Sequence, residues 1–207
     1  MPLARSKLPD HLSDHISDLL ETDRVFRSSG LTLDHFSWTP PESMFSELIQ
    51  TIVSQQVSTA AARSMVSRLR EQVGAITLKN IKKQSDDDLR ACGMSRPKIS
   101  YMRGLVSAIE QKNFDPECLY KMDDDAVRDY ITALRGFGPW SAQMILMFTM
   151  ARPDDWPAGD LGIRSGVQLY RRAAERPDIP ATEKFGNKFK GRRTAAALLL
   201  WKLKDTT

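Results

Sequence analysis

The side chain in this sequence best suited to chemistry is the carboxylate of Asp160. It stands in Trp156-Pro157-Ala158-Gly159-Asp160-Leu161-Gly162-Ile163-Arg164, directly ahead of a run with helical spacing. An aspartate there is first of all an N-cap, accepting an amide hydrogen bond from the helix it opens. Capping and catalysis do not exclude each other, because the positive end of a helix dipole favours the charged form of a carboxylate. An anion facing a cleft can stabilise the oxocarbenium charge of a sugar whose glycosidic bond is breaking, or orient water against it. Most glycosidases pair such a carboxylate with a general acid. No second partner is evident near Asp160, but a leaving base that is already cationic, such as an alkylated purine, needs no further protonation.

The second constellation is Leu134-Arg135-Gly136-Phe137-Gly138-Pro139-Trp140-Ser141-Ala142, a connection between two helices. Gly136 and Gly138 permit backbone angles that side chains forbid and leave amides open to a close phosphate. Pro139 suits the first turn of the next helix, where a missing N–H costs nothing. That helix aims its unpaired amides and positive dipole end at the same point. The result is an anion site that reads no base sequence, as anchoring of a DNA backbone requires. Taken alone, the same residues also describe an ordinary tight turn between two helices.

The elements that must position these groups read as helices almost throughout. Ile16, Leu19 and Leu20 give an amphipathic stretch over 14–20. Pro40-Pro41 opens a long helix through Met44, Phe45, Leu48, Ile49, Ile52 and Val53, continuing toward Leu69 with a break near Gln55-Gln56. Asp86-Asp87-Asp88 and Asp123-Asp124-Asp125 look like capped helix starts, and Ser95 caps the helix between them. Residues 141–150 form a buried apolar helix, 152–159 a loop, 161–174 a helix opened by Asp160, and 193–203 the last helix, with Trp201 there for packing. No fixed-period repeat or low-complexity segment is present.

Composition bounds the class. The chain has 207 residues, 41% apolar and 27% charged, as in globular domains. No apolar run approaches the ~20 residues of a membrane helix, and Arg5, Lys7 and Pro9 interrupt any secretory core at the start. The reading is therefore an intracellular protein, cytoplasmic in a bacterium or nuclear in a eukaryote, without a membrane partner. Two cysteines, Cys92 and Cys118, are too few for a four-cysteine iron–sulfur cluster. His11 and His15 lie four apart, but with no third ligand nearby no metal is expected. Net charge is +4, unevenly spread: residues 161–207 hold 11 Lys/Arg against 4 Asp/Glu. A basic C-terminal quarter suits a phosphate-facing surface, and equally a solvated lysine-rich face.

Four ordered segments together resemble the helix-hairpin-helix (HhH-GPD) superfamily of DNA glycosylases, and within it the 3-methyladenine DNA glycosylase II branch. They are Ile52-Val53-Ser54-Gln55-Gln56-Val57-Ser58, Gly93-Met94-Ser95-Arg96-Pro97-Lys98, the hairpin over 134–142, and Arg152 through Gly162. The resemblance covers about residues 40–205. It implies an all-α, two-lobed fold with the active-site cleft between the lobes. The whole chain, 1–207, would be a single unit, with a central lobe over 43–160, a terminal lobe of 1–42 plus 161–207, and no extra N-terminal domain. It implies a target nucleotide flipped out of duplex DNA, since the glycosidic bond is unreachable inside the stack, and a catalytic aspartate at Asp160. Gln56 matches the wedge that fills the gap left by the flipped base. Bifunctional members carry a nucleophilic lysine where Trp140 stands; an indole forms no Schiff base, so the expected enzyme is monofunctional and leaves an abasic site. Trp140, Gln55 and Trp156 are expected in the base pocket, Trp140 offering a π-face to a cationic purine. Gln56, Gly136, Phe137, Gly138, Ser141, Arg192, Arg193 and Lys98 are expected on DNA. No cofactor is implied beyond a monovalent cation at the hairpin when DNA is bound, and the protein is expected to act as a monomer on duplex DNA containing alkylated bases.

Relatives often place an aromatic before an Arg-Ser/Thr pair near the C-terminus. Here Arg192 takes its place in Gly191-Arg192-Arg193-Thr194. An arginine would repel a cationic base from the pocket or turn outward to DNA. Two other readings therefore stay open: a DNA-binding module of the same fold without catalysis, and a glycosylase for deaminated or mismatched bases.

Overall fold

The structure, a computed structural model, describes residues 7–205; Arg5 lies outside them. Among the described residues there is no β-strand, and twelve α-helices follow in order: α1 Asp10–Thr22, α2 Arg24–Arg27, α3 Met44–Ser54, α4 Thr59–Val73, α5 Leu78–Lys83, α6 Asp86–Ala91, α7 Arg96–Glu110, α8 Asp124–Thr132, α9 Pro139–Met144, α10 Leu161–Arg171, α11 Ile179–Gly186 and α12 Arg193–Asp205. A π-helical turn, Ile145–Thr149, extends α9. No helix here is long and apolar enough to cross a membrane.

Short polar caps set most of these boundaries. Ser43, Ser58, Thr77, Ser85, Ser95, Asp123 and Asp178 each accept an amide of the helix they open. The cap corrects one expectation. Pro40-Pro41 does not open α3; Ser43 does, because its hydroxyl accepts from Ser46 N–H while the prolines lie outside.

The chain divides into two compact units, residues 7–40 with 146–205, and residues Pro41–Ile145. The passage between them falls at Ile145, earlier than the expected boundary at Asp160. The reason is that 151–156 bonds to terminal elements: Ala151 O to His11 Nε2, Pro153 O to Thr194 N–H, and Trp156 Nε1 to Thr182 O.

In the central unit, Met44, Leu48, Ile49 and Ile52 of α3 are fully buried, and α3 packs on α4, α7 and α9. In the terminal unit, α10 lies tightly on α12. A Cβ on Gly166 would stand 2.6 Å from the Leu200 carbonyl oxygen, and one on Gly162 would stand 2.6 Å from the Trp201 indole. Gly166 thus lets the helix backbones approach to a distance that a side chain forbids, and one turn earlier Gly162 makes room for the Trp201 ring. Behind them, Phe26, Tyr170, Phe185, Phe189 and Trp156 form a contiguous aromatic core. Asp23 anchors it by capping α2 and accepting from Tyr170 Oη–H at 2.6 Å and Lys188 Nζ at 2.7 Å.

Candidate active site

Asp160 is the N-cap of α10, and its Oδ1 accepts from Ile163 N–H at 3.0 Å. The same oxygen accepts from Trp201 Nε1–H on α12 at 2.9 Å. The indole reaches it only because Gly162 has no side chain in the way. Trp201 also meets Phe148, with ring centroids 5.5 Å apart, and Phe148 is 41% exposed. Trp38 donates its Nε1–H to the Phe148 carbonyl at 2.9 Å. The carboxylate is therefore held on one side by two N–H donors and neighboured by partly exposed aromatic surface. Such surroundings suit a flat, apolar, cationic ring.

The segment leading to Asp160 is pinned from the first turn of α12. Asp154 Oδ1 accepts from Gly191 N–H at 2.7 Å, Arg193 N–H at 3.2 Å and Arg193 Nε at 2.8 Å, while Arg193 Nη2 binds Asp154 Oδ2 at 3.1 Å. Thr194 Oγ1 donates to Arg152 O at 2.6 Å and accepts from Asp155 N–H at 3.1 Å. Burial pushes the Asp154 carboxyl up, but Arg193 and the Gly191 amide outweigh it, and the net displacement is downward. A depressed carboxyl contributes stability above its unfolded value near 3.8 and loses it as pH falls through the folded value. Asp154→Asn should therefore cost about 2 kcal/mol at pH 7, with the gap to wild type narrowing below about pH 4. Thermal melts at pH 7, 5 and 3.5 check this; a gap independent of pH would show that the charge is irrelevant.

Several residues expected at the site have partners within the chain. Arg193, expected on DNA, is committed to Asp154. Arg192, expected on DNA or in the pocket, pairs with Asp18 of α1. Trp156, expected in the pocket, is 4% exposed in the aromatic core, because its Nε1–H finds the Thr182 carbonyl at 3.0 Å. Lys98, expected on DNA, is 8% exposed and donates to Val53 O at 2.7 Å at the end of α3. Its burial lowers the ammonium pKa, and its position satisfies a terminal carbonyl of α3.

The hairpin between α8 and α9 is built as its glycines suggest only in part. Gly136 has φ +92°, and a Cβ there would lie 2.2 Å from the Tyr101 ring of α7. Gly138 is extended, with φ −108°, so its value is space, not angle: nothing stands within 4 Å of where a Cβ would be. No side chain caps α9. Phe137 and Ser141, expected on DNA, are buried at 5% and 2%. Phe137 N–H bonds Leu134 O, and Ser141 Oγ accepts from Gln55 Nε2 at 3.2 Å. Gln55, expected in the pocket, also donates to Gly136 O at 2.8 Å, so it braces the hairpin. Gln56 is exposed at the apex of the α3–α4 turn with φ +56°, a left-handed conformation that side chains seldom adopt. Trp140 is half-exposed.

His11 and His15 have ring centroids 6.5 Å apart, and among the described residues no group of three or more His, Cys, Asp or Glu could hold a metal. Trp201, Phe148, Gly162 and Gly166 were not singled out as site residues by sequence. The glycines at a spacing of four were the available signal, since such a pair marks close approach of a second helix.

Comparison with known proteins agrees with this architecture. Residues 49–191 match the family described as HhH-GPD superfamily base excision DNA repair protein. The chain is 30% identical over 162 residues to DNA-3-methyladenine glycosylase 1 of Schizosaccharomyces pombe, covering 76% of this chain and 71% of that one. Among solved structures, it is similar to the S. pombe 3-methyladenine DNA glycosylase in complex with abasic DNA, with a TM-score of 0.78 and 26% identity over 92% of this chain and 95% of that one. A Clostridium acetobutylicum 8-oxoguanine glycosylase/lyase shares the fold, with a TM-score of 0.77 and 16% identity over 93% of this chain and 70% of that one.

Proposed function

Because the chain belongs to the HhH-GPD superfamily of base excision DNA repair proteins, and is a DNA glycosylase with the all-α fold of that family, we propose that it hydrolyses the N-glycosidic bond of alkylated purines in duplex DNA. It acts as a monomer and leaves an abasic site. The observation that carries the reading is the carboxylate of Asp160, fixed by Ile163 N–H and Trp201 Nε1–H beside aromatic surface. In the proposed reaction the flipped nucleotide presents its sugar to Asp160. As the bond to the base lengthens, positive charge grows on the sugar and the carboxylate stabilises it. A base of the 3-methyladenine or 7-methylguanine type carries a positive charge before cleavage and departs neutral, so no general acid is required. Water then adds to the sugar carbon, with its proton released.

The hairpin holds a backbone phosphate through amides around Gly136 and Gly138, and Gln56 enters the gap left by the flipped base. Trp140 offers a π-face and carries no amine for a Schiff base, which supports hydrolysis without strand cleavage. The carbonyls of Leu134 and Gly136 each accept one hydrogen bond and keep a second lone pair. They would hold a monovalent cation, which would add positive charge toward the phosphate; no step runs through it.

The feature that favoured a non-catalytic module, Arg192, is turned to Asp18. The deciding assay incubates the protein with methylated duplex DNA, with and without borohydride. Expected are free modified base, alkali-labile sites and no trapped protein–DNA adduct. Binding without base release from any alkylated duplex would overturn the glycosylase reading, release confined to deaminated or mismatched bases would overturn the substrate class, and a trapped adduct would overturn the monofunctional one.

A further inference from the structure

We propose that the groove between α6 and α7 is a second clamp for a DNA backbone phosphodiester, separate from the hairpin. The proposal rests on the reading that duplex DNA is the substrate. The groove encloses about 420 Å³ and is lined by Asp86 and Arg90 of α6 and Arg96, Ile99, Ser100 and Arg103 of α7. Arg103 is largely engaged: Nε and Nη2 bind Asp86 Oδ1 at 3.1 and 2.9 Å, and two further donations go to Ile81 O and Gln84 O. Asp86 is thereby neutralised. Arg90 and Arg96 are exposed, and among the described residues neither side chain has a hydrogen bond or ion pair. Two unmatched guanidinium groups then face one groove.

A phosphodiester fits this lining. Guanidinium forks match phosphate oxygens in pairs. Arg96 occupies the first position of the fifteen-residue α7, so the positive end of its dipole adds to the same field. The Ser100 hydroxyl supplies a further donor, and Ile99 an apolar wall of the kind a deoxyribose face covers. The placement suits a strand already gripped by the hairpin, because α7 touches it through the Tyr101 ring under Gly136.

The test measures affinity for a duplex carrying an abasic-site analogue across a salt series. It compares wild type, Arg90→Gln/Arg96→Gln, and a control that loses equal charge at exposed positions toward the far end of the unit, Lys112→Gln/Lys121→Gln. Thermal melts establish that both variants fold. Expected for the arginine variant is a binding slope against log salt shallower by one to two, at about 0.9 per phosphate, and affinity about tenfold weaker at low salt. The control should match wild type. A slope equal to the control's overturns the proposal, as does weakened binding with an unchanged slope. If thymidine 5′-monophosphate binds wild type and not the arginine variant while the DNA slope stays intact, the groove holds a mononucleotide and the proposal is again overturned. Wild-type protein that fails to bind the duplex at any salt would sink the functional reading itself, a different outcome from these.

Discussion

Asp160→Asn should lower the rate of base release by about a thousandfold while leaving the Kd for an abasic-analogue duplex within a few-fold of wild type. Both halves follow from geometry. Asparagine caps helices about as well as aspartate, and its carbonyl oxygen can still accept from Ile163 N–H and Trp201 Nε1–H. The fold and the orientation of residue 160 are kept, and only the negative charge is lost. Charge placed where a transition state develops its opposite is worth about two to three orders of magnitude in rate for a single group, and more where no second catalyst stands by. Single-turnover release from a methylated duplex, set beside a binding isotherm, gives the answer. Near-wild-type turnover would remove Asp160 from the chemistry; equal loss of binding and turnover would show that the residue is structural.

The second large effect concerns stability. Gly166→Ala should destabilise by about 1–3 kcal/mol, because the new Cβ would lie 2.6 Å from the Leu200 carbonyl oxygen, and a helix backbone cannot move aside cheaply. For a chain of this size that lowers Tm by about 2–12 °C. Gly162→Ala meets a different neighbour. The obstacle is the Trp201 indole, also at 2.6 Å, and a side chain can rotate away. Its rotation breaks the bond to Asp160, so this variant should release base about tenfold more slowly, the value of one lost hydrogen bond to a charged group, whereas Gly166→Ala leaves that bond in place. Melts and single-turnover rates on the pair separate the two cases; a Gly166→Ala protein as stable as wild type would refute the close packing of α10 on α12.

Much of this architecture was legible in the sequence because its signals are local. Helical spacing in α3 and the polar residue at most helix starts need only neighbours in the chain. Asp160 was legible for the same reason, standing at the head of α10. Less legible were the residues whose partners are remote. Arg193 reads as a basic residue until Asp154, 39 positions away, is seen to take its guanidinium. Lys98 reads as a phosphate ligand until it is found on the Val53 carbonyl. Trp156 and Trp201 are the same residue type with exchanged expectations: one fills the core, and the other reaches the candidate carboxylate. α11 lies between the stretches 161–174 and 193–203 read as helices and was not read as one; its Pro180 fits a helix's first turn behind the Asp178 cap.

One rod, α12, touches the approach to the carboxylate twice. Its opening residues seize 152–155, and Trp201, seven positions or about 10 Å further along, seizes Asp160. Both ends of that span are thus registered against one inflexible ruler during folding. The cost in freedom of aiming the anion is settled before any nucleic acid arrives, so in the proposed reaction contact energy gained from DNA remains for prising a nucleotide out of its stack.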